Sequence, residues 1–83
     1  MTARVGAEVS IAPYDSDEPV GENEFLVTPT GRTYLVLEAT CARRGAHAGR
    51  RWRLRCLVID LDHMPVGSVV HHLRWYPRER SRR

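Results

Sequence analysis

Arg51-Trp52-Arg53-Leu54-Arg55-Cys56 alternates strictly between basic and apolar side chains, and the reading of this stretch decides the fold. A period of two is the rhythm of a β-strand, whose successive side chains point to opposite faces. The parity assigns those faces. Three adjacent buried guanidinium groups would be prohibitively costly, so Trp52, Leu54, Cys56 and, in the same phase, Val58 face the core, and Arg51, Arg53 and Arg55 face solvent.

Working outward, Gly45-Ala46-His47-Ala48-Gly49 reads as a flexible loop tip, and the stretch from Thr33 to Arg43 before it is the partner strand of a hairpin. That strand carries Leu35, Leu37, Ala39 and Cys41 on one side and Tyr34, Val36, Glu38 and Thr40 on the other. A register pairing Leu35 with Val58 and Leu37 with Cys56 sets Glu38 opposite Arg55, a cross-strand pair of favourable sign. Further upstream, the apolar run Phe25 to Thr28 is closed by Pro29-Thr30-Gly31-Arg32, a turn in which Gly31 takes positive φ, and a second hairpin follows. Ala7 to Ala12 alternates loosely as a first strand, and Pro13 to Glu24 is a surface loop or disordered. Downstream, Asp60 to Pro65 is a polar turn, Ser68 to Tyr76 is a last strand stopped by Pro77, and the tail from Arg78 to Arg83 is frayed.

No helical periodicity and no internal repeat is present. Four or five short strands with short turns roll up as a single all-β domain, a small antiparallel barrel or sandwich of SH3-like or OB-like size. The chain divides into an acidic segment 1–24, a β-rich core 25–77 and a basic tail 78–83. With 83 residues, 42% apolar and 28% charged, one hydrophobic core is the most it can build. At this size burial and conformational entropy nearly cancel, so a homo-oligomer is a live expectation. Neither a secretory signal nor an eighteen-residue apolar run occurs, so the expected location is cytoplasmic, with no membrane partner. The two cysteines, Cys41 and Cys56, read as buried thiols.

All 13 basic residues are arginine, which a GC-rich coding genome explains as readily as selection for guanidinium does. Position says more than the total. Residues 1 to 31 hold Arg4 against six acids, whereas residues 32 to 83 hold twelve arginines against four. Arg43, Arg44, Arg50, Arg51, Arg53 and Arg55 crowd into one hairpin with no acid between the first and the last. A sheet face studded with guanidiniums and ending in a Gly-flanked loop suits a phosphate backbone, because each contact releases condensed counterions. Arg74 and Arg78 extend the basic surface, and Tyr76 between them is a candidate stacking platform for an unpaired base.

The reading is therefore a non-enzymatic module contacting DNA or RNA with low sequence specificity. A second class of reading is an adaptor, inhibitor or small subunit, of the kind a GC-rich bacterium or its phage encodes, whose basic face docks on an acidic protein surface. The same arginines also have an internal competitor in the acidic front segment. Asp60, Asp62, His63, His71 and His72 match no metal-site spacing, and His71 and His72 diverge as strand neighbours, so no metal is assigned. With both thiols inward, and neither a phosphate loop nor a nucleophile elbow, no catalytic residue and no cofactor is assigned.

Overall fold

The alternating stretch becomes a strand near the middle of a coiled sheet. A computed structural model describes residues 4–81, which form β1 (Glu8–Asp15), β2 (Phe25–Val27), β3 (Thr33–Cys41), β4 (Arg51–Ile59), β5 (Val70–His72) and β6 (Glu79–Ser81). A single 3-10 turn, Leu61–His63, capped by the Asp60 carboxylate on the Asp62 N–H, lies between β4 and β5. The strand order is β5-β2-β3-β4-β1-β6. The chain is all-β as the alternation requires, with six strands where four or five were expected. The sheet is mixed and not purely antiparallel, because β5 runs parallel to β2. Its edge strands β5 and β6 do not pair with each other, so the sheet is not a closed barrel.

The core is filled from one face of nearly every strand. Leu54, Cys56 and Val58 of β4 are buried as their parity demands, and they meet Val9, Ile11 and Tyr14 of β1, Leu26 of β2, and Tyr34 and Val36 of β3. Each large apolar side chain fully removed from water contributes about 1.5–3 kcal/mol, which is why the phase of β4 is so strongly specified. Trp52 packs against this cluster from the end of the strand and stays half-buried.

The sheet must curl. β3 and β6 are three places apart, about 14 Å in a flat sheet, yet the Tyr34 hydroxyl donates a hydrogen bond to the Glu79 carboxylate of β6. Arg32, at the start of β3, donates from Nη2 to the same carboxylate at 2.7 Å and from Nε to the Tyr34 hydroxyl at 3.0 Å. These three side chains clasp the last strand to the third across the interior. Burial, followed by the neighbouring Glu79 carboxylate, pushes the Tyr34 phenol well above its ordinary value, so it remains a donor.

The β3–β4 register departs from expectation by one residue over half its length. Tyr34 pairs with Val58, Leu35 with Leu57 and Val36 with Cys56, but beyond a bulge at Leu37 the pairing becomes Glu38 with Arg55, Ala39 with Leu54 and Cys41 with Trp52. The bulge reverses the phase of β3, so Tyr34 and Val36 face inward before it and Ala39 faces inward after it. The expected contact between Glu38 and Arg55 is therefore present, and the expected pairs of Leu35 and Leu37 are not.

Three other segments differ from expectation. β1 runs on to Asp15 and Val20 is buried, so the acidic stretch after Pro13 is anchored and not a free loop. Its Glu24 carboxylate lies 2.6 Å from His71 Nε2, and this hydrogen bond holds Glu24 below the usual carboxylate range. The expected long strand from Ser68 to Tyr76 is reduced to Val70–His72, with Leu73 turning into the core. The expected frayed tail instead supplies β6, which pairs Val9 with Ser81, Ser10 with Arg80 and Ile11 with Glu79; Arg82 and Arg83 lie outside the described residues. The Pro29–Arg32 turn forms as expected, with Gly31 at φ 90° and its N–H donated to the Thr28 carbonyl at 2.9 Å.

Candidate functional site

The basic hairpin projects beyond the core. Residues 43 to 50 are all exposed, and the loop is shaped by its own backbone, with the Gly49 N–H donated to the Ala42 carbonyl at 2.8 Å and the Ala48 N–H to the Gly45 carbonyl at 3.2 Å. Gly45 and Gly49 sit at φ 93° and 79°, where a side chain would be strained. The tip that reads as flexible in sequence is thus a series of hydrogen-bonded turns.

Arg51, Arg53 and Arg55 face outward as the alternation requires, but they do not form a row of equivalent free cations. Arg55 lies between carboxylates on both neighbouring strands, with Nη1 2.7 Å from Glu8 of β1 and Nη2 3.8 Å from Glu38 of β3. Arg51 Nε donates to Asp15 at 3.0 Å, and that bond lowers the Asp15 carboxyl below its ordinary value. Arg50 sits 3.9 Å from Asp17. The acidic front segment, carried on β1 and the turn after it, supplies all of these carboxylates except Glu38. Arg43, Arg44 and Arg53 are exposed and have no acidic partner among the described residues.

A second bulge opens a groove beside Arg53. Ile11 pairs with Leu54 and Tyr14 with Trp52, so Ala12 and Pro13 together stand opposite Arg53 and the β1–β4 ladder is interrupted there. A proline lacks the N–H that a ladder position would use, and it suits such an interruption. The opening has a volume of about 450 Å³, with apolar walls from Ala12, Pro13, Ala42 and Trp52 and with Arg51, Arg53 and Arg80 around it. The Trp52 indole directs its Nε1–H at the Ser16 carbonyl at 3.4 Å. Arg80 comes from β6. The pairs Glu38–Arg55, Arg55–Ser10 and Ser10–Arg80 run as one row across four strands, which places Arg80 on the outward face that carries Arg53 and Arg55. Arg80 is exposed and also has no acidic partner among the described residues.

The remaining candidates lie elsewhere. Arg74 borders a depression with Asp15, Glu18 and His71, an acidic setting away from the groove. Tyr76 is 63% exposed on the β5–β6 connection, and Arg78 follows it, also exposed. Trp75 is exposed as well, with its ring 5.4 Å from that of Tyr14. Cys56 is buried as expected, and desolvation pushes its thiol up to about 12; Cys41 is not in the core but half-buried at the groove.

Arg80, which the sequence places only among the arginines of a frayed basic tail, is brought to the groove by β6. The signal was present in Glu79, the only acid in an otherwise basic tail, whose burial against Arg32 and Tyr34 fixes β6. Among the described residues no group of three His, Cys, Asp or Glu side chains is placed to hold a metal ion, and no helix is long and apolar enough to cross a membrane. Comparison with protein-family models, with curated proteins and with solved structures finds no match.

Proposed function

We propose that the chain is a non-enzymatic module that binds nucleic-acid phosphates through the outward face of the β3–β4 hairpin and its loop. The observation that carries this reading is the distribution of unpaired charge. Arg43, Arg44, Arg53 and Arg80 are exposed without acidic partners among the described residues, Arg53 and Arg80 bordering one groove and Arg43 and Arg44 on the loop that follows its Ala42, whereas Arg50, Arg51 and Arg55 are matched by the chain's own carboxylates; Arg4, Arg74 and Arg78 are exposed and unmatched as well, but do not line that groove. The paired arginines frame the surface, and the unpaired ones are available to an outside anion. Arg74, Tyr76 and Arg78, on the β5–β6 connection, do not line the groove and stand outside this contact. In architecture we read the coiled sheet as a partly open barrel of SH3-like or OB-like proportions, acting in the cytoplasm.

The test is salt-dependent binding. With single- or double-stranded oligonucleotides, log K should fall linearly with log salt, and the Arg43→Gln/Arg44→Gln/Arg53→Gln variant should make the slope shallower by about 2–3, near 0.7–0.9 for each lost phosphate contact. Salt-independent binding, or no binding at low ionic strength, overturns the reading. A second reading has its own support in the pairs Arg51–Asp15 and Arg50–Asp17: the face already accommodates carboxylates, so an acidic protein surface could take their place. It requires a stable complex with one protein and no shift of nucleic acid.

A further inference from the structure

We propose that the groove beside the β1 bulge seats one unpaired nucleotide, base against the apolar wall and phosphates on Arg53 and Arg80, so that the module prefers single strands to duplex. The inference rests on the nucleic-acid reading above and narrows it. A duplex hides the faces of its bases in the stack, and a protein that binds its backbone needs only cations on a convex surface. This site has a further element, a concavity. Its volume of about 450 Å³ falls in the range of small-molecule clefts, and its wall is mainly apolar, a proline, two alanines and an indole, with Thr40 and Cys41 beside them.

Beyond the Thr40 hydroxyl and the Cys41 thiol, such a wall offers no neutral hydrogen-bonding side chain apart from the indole to a base edge, but it offers apolar surface to a base face. Stacking of that kind is tolerant of sequence, because every base has a π-face. Trp52 is suited to it by being fixed: its body packs on the core and its Nε1–H points at the Ser16 carbonyl, so little side-chain freedom is lost on binding.

The charges fit the same occupant. Arg53 on β4 and Arg80 on β6 are separated by the one intervening strand, about 10 Å between strand axes, a span that two long guanidinium side chains cover to reach the phosphates on either side of a nucleotide. Both are exposed and neither is neutralised by a described acid. Arg51, also at the groove, is held back by Asp15. A largely apolar lining that also carries cations is complementary to a ring carrying phosphate, and a peptide carboxylate would match only half of it. Arg80 reaches the groove only because β6 pairs with β1, so the seat exists in the folded sheet and not in the hairpin alone.

The experiment compares three fluorescently labelled twelve-residue probes by anisotropy on the full chain at low salt: oligo(dT), an abasic strand of the same phosphate number, and a duplex of the same length. Expected are affinities for oligo(dT) about tenfold above those for both other probes. In a Trp75→Phe background, Trp52 emission should be quenched by oligo(dT) and not by the abasic strand. The Arg53→Gln/Arg80→Gln variant, with an unchanged circular dichroism spectrum, should lose about tenfold on oligo(dT) and far less on duplex. Equal, salt-dependent affinity for all three probes overturns the nucleotide seat and leaves the phosphate-binding reading standing. Binding to none of them, or only to polyglutamate, overturns both.

Discussion

Replacing Glu79 with alanine should cost more than any other single truncation of a charged side chain among the described residues. Its carboxylate accepts from Arg32 and from the Tyr34 hydroxyl, and the Arg32 and Glu79 side chains are only 25% and 14% exposed. Removing one partner of a buried ion pair typically costs about 3–5 kcal/mol, because the other charge is left desolvated. Arg32 retains some water and keeps its bond to Tyr34, so the cost here should be about 2–4 kcal/mol. For a domain this small that lowers Tm by about 10–25 °C. Urea unfolding followed by far-ultraviolet circular dichroism measures it, and a double-mutant cycle with Tyr34→Phe should show coupling of about 1–2 kcal/mol. A Glu79→Ala variant within about 0.5 kcal/mol of the parent, or strict additivity with Tyr34→Phe, would show that the clasp does not hold β6 on the sheet.

Three further outcomes follow from named contacts. Glu24 and Asp15 are held below their ordinary values by His71 and Arg51, so the unfolded chain binds protons more readily than the fold does. Their stabilisation is therefore present above the usual carboxylate value and lost as pH falls through the lowered folded values, below about pH 4. Glu24→Gln should make the acid limb of the urea midpoint shallower, and a midpoint unchanged between about pH 5 and pH 3 contradicts this. At pH 8 iodoacetamide should modify Cys41 well before Cys56, whose buried thiol stays protonated up to about 12; peptide mass spectrometry showing equal rates refutes the assigned burial. Asp15→Asn/Asp17→Asn should tighten binding to polyanions several-fold by freeing Arg51 and Arg50, as read by heparin retention, and an unchanged elution salt excludes intramolecular competition. Deleting the acidic segment is not an equivalent test, since it removes β1 from between β4 and β6.

How far the sequence could be read depended on whether a residue's placement was set by local phase or by a distant partner. The strict alternation of residues 51 to 56 fixed both the strand and its buried face, because a slip by one would bury three guanidiniums. Gly31 marked its turn for an equally local reason. The bulge at Leu37 left no such mark: Leu35 and Leu37 alternate as well as Tyr34 and Val36 do, and only the core reveals that the phase reverses. The length of β5 is not legible in the sequence because its partner, β2, lies across a parallel pairing that no short-range pattern announces. Charge was the hardest to read. The sequence shows arginines in a row, but which of them are neutralised depends on β1, which brings Glu8 and Asp15 alongside from more than thirty residues away.

The pairing of β6 with β1 also bears on how the molecule is made. While a nascent chain emerges from the ribosome, β6 appears after every other described strand, and until then β1 presents an open row of amide and carbonyl groups beside a hydrophobic interior. Such a row is a template for pairing with a neighbouring chain. The late arrival of Glu79, Arg80 and Ser81 therefore seals a surface that would otherwise invite aggregation, so an internal deletion of these three residues should lower soluble yield out of proportion to its size.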